Sequence, residues 1–273
     1  MVAAVWLAGL DVSTTSSGPA PTARAEATLG SAPNNAVTDL HSGDRTVRVV
    51  NKGGADGARL ASRITSVTTT AVRAVEAFWG VDWPREIVVV TTTAPEQFSA
   101  EVSGGEPAPW SDIAAVTVAD VVDARHHQAV NPRIVLAPGA SAMSLESLHL
   151  VLTHELFHYA ARADTAQDVP VWLTEGVADF VARAPRPVGV HEQVLGFPAD
   201  TDFETPGPQR AQAYDRAWWF ARFVADTYGT PTLRALYLAA CGDGHPDFPT
   251  AARRVLGAEP SAVLAGWQTW LSA

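Results

Sequence analysis

Within the run Leu148-His149-Leu150-Val151-Leu152-Thr153-His154-Glu155-Leu156-Phe157-His158, two histidines stand four residues apart and a glutamate directly follows the first. Residues four apart on a helix share one face, so His154 and His158 can direct both imidazoles at a single ion. Imidazole nitrogen suits Zn²⁺, which takes it at about 2.0–2.1 Å. Glu155 is turned about a third of a circle from His154. That places it better to hold a water beside the ion than to ligate it, and such a water must lose a proton to become a nucleophile. Leu145, Leu148, Val151, Leu152, Leu156 and Ala160 give the segment the apolar surface of a buried helix. The bland alternative is two satisfied core histidines and a solvated glutamate. In a buried helix, however, all three need partners.

A catalytic zinc site needs three protein ligands and one open position. The candidate for the third lies in Val171-Trp172-Leu173-Thr174-Glu175-Gly176-Val177-Ala178-Asp179-Phe180. Trp172, Leu173, Val177, Phe180 and Val181 form an apolar helix face, with Pro170 at a plausible helix start. Glu175 falls within that run, and a carboxylate facing a buried side needs a cation. Gly176 removes a side chain beside it, which lets two helices approach closely. Asp179 is one turn on and could accept a hydrogen bond from the second ring nitrogen of a zinc histidine, fixing its tautomer.

Taken together, His154-Glu155-Leu156-Phe157-His158 and the downstream Trp-Leu-x-Glu-Gly-x-Ala around Glu175 resemble the gluzincin zinc metallopeptidases. The likeness is greatest to the small bacterial "peptidase MA-like" group. It is strong across residues 145–183, looser over 211–238, and absent before about residue 130. The resemblance implies one zinc per chain held by His154, His158 and Glu175, with Glu155 as general base. The spacing of Glu175 and Asp179 also matches thermolysin-like gluzincins, in which that Asp supports the first zinc histidine. Similar small gluzincins carry a Tyr before an apolar helix ending in Tyr-Gly. This makes Tyr214 the candidate for stabilising an oxyanion, against the equally simple reading of a packed Tyr with its hydroxyl at the surface. His191, in the loop of residues 184–208, is the other candidate donor, although a lone loop histidine is more often just solvated. Zincins also carry an edge strand above the metal along which extended substrate adds, and by resemblance that strand is Ala114–Val118.

The elements that must position these residues follow from periodicity. Thr46–Val50, Ile87–Val90, Ile113–Val118 and Arg133–Ala137 read as strands, and residues 120–132 separate the last two. Leu60, Ile64, Val67, Ala71, Val75 and Phe78 recur at helical spacing, predicting a helix over 57–79, and 94–102 forms a shorter one. Ser144 with Ser147 can cap the histidine helix. Residues 211–228, 232–240, 250–256 and 261–271 read as helices, with Trp267 and Trp270 packing the tail down. His126 and His127 are adjacent, cannot share a helix face, and read as exposed. The fold class is therefore α+β, zincin-like: an N-terminal mixed sheet with helices, the active-site helix, then a helical C-terminal lobe. Folded structure is expected from near Asp44. The organisation is a signal-like segment and disordered linker over 1–36, an N-terminal α/β part over 37–143, and the zinc-binding and C-terminal helices over 144–273.

Composition bounds the partners. Of 273 residues, 47% are hydrophobic and 18% charged, as in a globular chain. The net charge of −10 argues against nucleic acid, whose phosphates need clustered Lys and Arg. The single Cys241 excludes an intrachain disulfide framework and reads as a small buried hydrophobe. The apolar run of residues 1–10 is too short to span a bilayer, which takes about 20 residues, so no stable membrane span is expected in the mature chain. It resembles a secretory signal without its leading positive charge. This points to export to the cell envelope or beyond, with a cytoplasmic chain as the alternative. Oligomeric state is not specified. The expected partner is a peptide or protein substrate and the expected activity is zinc-dependent peptide-bond hydrolysis. The rivals are a non-catalytic zinc-containing scaffold of the same fold and a zinc hydrolase of a non-peptide bond.

Overall fold

The computed structural model describes the backbone of residues 3–6, and residues 36–103, 113–187, 196–204 and 207–272. The described residues form eight strands and eight α-helices. Strand β1 (Ala3–Trp6) is followed by the hairpin β2 (Ala36–Ser42) and β3 (Arg45–Asn51), helix α1 (Gly54–Trp79), β4 (Glu86–Thr91), α2 (Pro95–Ser103) and β5 (Ile113–Val118). A two-stranded ribbon, β6 (Val121–Asp123) and β7 (Gln128–Val130), precedes β8 (Arg133–Leu136). The rest is helical: α3 (Leu145–Ala161), α4 (Val171–Ala182), α5 (Pro208–Tyr228), α6 (Thr230–Cys241), α7 (Phe248–Leu256) and α8 (Pro260–Leu271). The class is α+β, with the sheet on the N-terminal side and a helical C-terminal region.

The main sheet runs β1-β5-β8-β4-β3-β2. Strands β3, β4 and β8 are parallel neighbours, while β2, β5 and β1 join antiparallel. The central strands β4 and β8 carry the apolar runs Ile87–Val90 and Ile134–Leu136, as strands inside a parallel sheet do, while β3 alternates with Val47 and Val49 buried. Helix α1 follows from its stripe: Leu60, Ile64, Ala71, Val75 and Phe78 are all buried. Helix α3 packs alongside it and is apolar almost all round, with Leu148, Val151, Leu152, Leu156 and Phe157 fully buried. Phe157 meets Phe78, Trp79 and Tyr237 edge-on, which ties α3 to α1 and α6. In the C-terminal lobe Trp172, Phe220, Phe248 and Trp267 form a second aromatic group, so Trp267 does anchor the tail.

Three expectations need correction. Folded structure begins before Asp44, because β2 pairs along the whole of β3. Its hydrophobic pattern is poor, Val37 being 53% exposed, because it is an edge strand held by its neighbour's backbone rather than by burial. Helix α1 begins at Gly54, ahead of the predicted start at 57, where the Asn51 amide donates to the Gly54 carbonyl. The segment between β5 and β8 is an ordered ribbon with His127 and Asn131 at positive φ. No helix among the described residues is long and apolar enough to cross a membrane.

Candidate metal centre

Helix α3 is capped as the serines suggested: Ser144 Oγ accepts from the Ser147 N–H at 3.0 Å. Helix α4 starts after Pro170 and lies against both α3 and α5. Its contact with α5 needs Gly176, since a Cβ there would sit 2.5 Å from the Ala217 carbonyl oxygen. With no side chain between them, the two backbones touch and Glu175 is set firmly over α3.

His154, His158 and Glu175 converge, and all three are buried. His154 Nε2 lies 3.0 Å from His158 Nε2 and 3.1 Å from Glu175 Oε2, and His158 Nε2 lies 3.5 Å from Glu175 Oε1. Donors about 2.05 Å from a tetrahedral zinc stand ~3.3 Å apart, so this set fits the ion without rearrangement. Two imidazole nitrogens and one carboxylate is also a known donor set for catalytic zinc. Behind them, Asp179 Oδ1 accepts from His154 Nδ1 at 2.9 Å, which turns Nε2 towards Glu175. Asp179 is itself paired with Arg183 at 2.5 Å, and Arg183 reaches on to Asp215.

The electrostatics favour a cation at this point. Burial pushes the His154 imidazolium down, but hydrogen bonds to Asp179 and Glu175 and their charges outweigh it and carry the group up to about 10. Burial would raise Glu175, yet the facing histidines hold its carboxyl down at about 2. His158 is lowered, because burial outweighs the attraction of Glu175. The carboxylates that retain a proton on His154 supply the field that a divalent cation would meet.

Glu155 is fully buried and turned off the donor set towards β5. Thr117 Oγ1 donates to its Oε2 at 2.6 Å and also lies 2.9 Å from its backbone carbonyl oxygen. Ala114–Val118 lies beside the metal helix, but it is not the edge strand that the resemblance implied, because Ala3–Trp6 pairs along one side of it and β8 along the other. Tyr214 also reaches the site: its ring is 6.4 Å from that of His154 and its hydroxyl hydrogen-bonds Glu175. Burial and the charges of Glu175 and Asp179 push its phenol well above the ordinary 10.0, which keeps it a proton-bearing donor. His191 lies outside the described residues. His126 and His127 are exposed and paired with Asp123 and Asp164, away from the donor set.

Sequence reasoning missed two residues here. Thr117 fixes Glu155, and its one signal was a hydroxyl inside the otherwise apolar Ile-Ala-Ala-Val-Thr-Val. Arg183 braces Asp179, and the i,i+4 spacing of the two could have shown it.

No protein-family model matches the chain, and no curated protein matches it. The functional reading therefore rests on the residues themselves.

Proposed function

We propose that the protein is a zinc-dependent metallopeptidase of the gluzincin type, acting on peptide or protein substrates. One observation carries the reading: three buried donors stand 3.0–3.5 Å apart, and a fully buried glutamate next in sequence to one of them is held off the set by Thr117. A zinc ion held by His154, His158 and Glu175 would supply the Lewis acidity that makes water acidic near neutral pH and polarises a carbonyl. Glu155 accepts the proton from the attacking water and returns it to the leaving amine, so one carboxylate serves as base and then as acid. Thr117 orients Glu155 by donating to its Oε2. Tyr214 offers a phenolic proton to the developing oxyanion, and its raised pKa keeps that proton in place throughout the neutral range. Asp179 and Arg183 hold His154 in register.

The scaffold reading is weaker, because a scaffold has no use for a buried, hydroxyl-oriented carboxylate beside the donor set. The test is digestion of unstructured proteins and peptides by zinc-loaded protein and its Glu155→Gln variant, read by mass spectrometry. The parent is expected to cleave, and the variant to keep about one zinc per chain while losing at least about 100-fold in rate, the scale of a lost general base. Undiminished cleavage by the variant removes the base assignment. Cleavage of esters or amides but no peptide transfers the site to the non-peptide hydrolases.

A further inference from the structure

Helix α4 carries Glu175 but cannot cap itself, since Pro170 at its start has no side-chain oxygen to offer. The cap comes from a distant part of the chain. Asp200 Oδ1 accepts from the Trp172 N–H at 3.1 Å, in the first turn where a capping side chain ordinarily bonds. Asp200 opens a single 3₁₀ turn, Asp200–Phe203, within the described stretch 196–204. The same stretch is tied down at three further points. Phe197 lies parallel to the rings of Trp172 and Trp267. Asp202 accepts from Arg216 at 2.6 Å. Phe203 meets the Tyr214 ring edge-on, with centroids 5.0 Å apart.

Each of the four ties reaches α4 or α5, the helices that hold Glu175 and Tyr214. The backbone contact at Gly176 fixes how these helices pass one another, but it does not fix how the Tyr214 ring is turned. On a helix an aromatic side chain keeps a choice of χ1, and its χ2 is broad. The setting of the ring therefore depends on what abuts it. His154 does so at 6.4 Å, from the opposite helix α3, and Phe203 does so more closely. In that setting the phenol hydrogen-bonds Glu175. A continuous set of contacts thus runs from the brace of residues 196–204 through Phe203 and Tyr214 to a donor of the metal centre.

We propose that Phe203 is a positioning residue of the metal centre. Its ring holds Tyr214 where the hydroxyl meets Glu175, and the brace holds Phe203 in place. The inference rests on the metal reading of the three donors but not on peptide hydrolysis, so the two are tested separately.

The experiment is a double-mutant cycle on zinc affinity, measured on the full chain by chelator competition. Phe203→Ala and Tyr214→Phe are each expected to weaken zinc binding about tenfold, the low end for groups that act through a ligand. The double variant should bind no more weakly than either single one, because both changes remove the same contact. Phe203→Leu, which keeps an apolar group against the ring, should restore most of the affinity. Asp202→Asn loosens the brace at a partly exposed ion pair and serves where Phe203→Ala does not fold. It should cost about threefold, the scale of such a pair, and nothing further in the Tyr214→Phe background. Parental affinity in Phe203→Ala or in Tyr214→Phe overturns the proposal, as do losses that add in the double variant. Where Phe203→Ala does not fold, parental affinity in Asp202→Asn overturns it as well. Additive losses in a protein that cleaves peptides remove the role of Phe203 and leave the peptidase reading standing. A shared loss in a protein that cleaves none does the reverse, and a parent that binds no zinc removes both.

Discussion

Two regions of the molecule bury charge, and they do it in opposite ways. Around Arg45 the charge is enclosed: the guanidinium donates to Glu76 and to the backbone carbonyls of Val81, Trp83 and Pro84, and stacks over the Trp83 ring at 3.4 Å. Its donors point outwards to separate partners, each already satisfied. At the metal centre the lone pairs point inwards, so that two imidazoles and a carboxylate face one another within 3.5 Å. Left to themselves, such groups satisfy each other poorly, since donors and acceptors are not matched in number. Divergent partners mark a clamp that holds structure, and convergent ones mark a place for something else.

The comparison can be broken in three places. The largest expected effect is at the convergent site: Glu175→Ala removes a direct ligand and should weaken zinc binding by more than about 100-fold, beyond the range for outer partners. Metal content by elemental mass spectrometry, with chelator competition, reads this out. Equal zinc in parent and variant would mean that the third ligand lies elsewhere. Next comes the enclosed site. Arg45→Met strips the donor from three carbonyls and should lower folding stability by about 3 kcal/mol, while zinc affinity stays as in the parent. Urea unfolding and the same metal assay check both halves, and a parallel fall in affinity would show that the two regions are not independent. The smallest effect sharpens the picture from inside the centre. Asp179→Asn keeps an acceptor for His154 but removes the charge that Arg183 balances, and should cost about 10-fold in zinc affinity, the low end for such partners. An unchanged affinity would reduce Asp179 to packing.

The sequence showed the site more plainly than its surroundings. His154, His158 and Glu175 were placed by helical period and by burial, two signals that survive without tertiary information. Gly176 was read correctly as a close approach, because a glycine in an apolar helix has few other uses. What escaped was everything that depends on a second segment arriving from afar. Thr117 meets Glu155 across 38 residues of sequence, and nothing local in β5 says which helix it faces. Strand β2 escaped because an edge strand draws its stability from backbone pairing, which leaves little trace in side-chain type. The ribbon of β6 and β7 turns through Ala124–His126 and positive φ at His127, chemistry that no Gly or Pro announces.

The contact at Gly176 has a mechanical side. Where α4 and α5 touch backbone to backbone there is no slack, so Glu175 and Tyr214 travel as one arm. His154, His158 and Glu155 belong to the other plate, α3 seated on the sheet. A cation bound by all three ligands is then a rivet through two plates. Taking it up would stiffen the hinge between them, and the faces that meet at the rivet would be the slowest parts of the chain to exchange their amide protons.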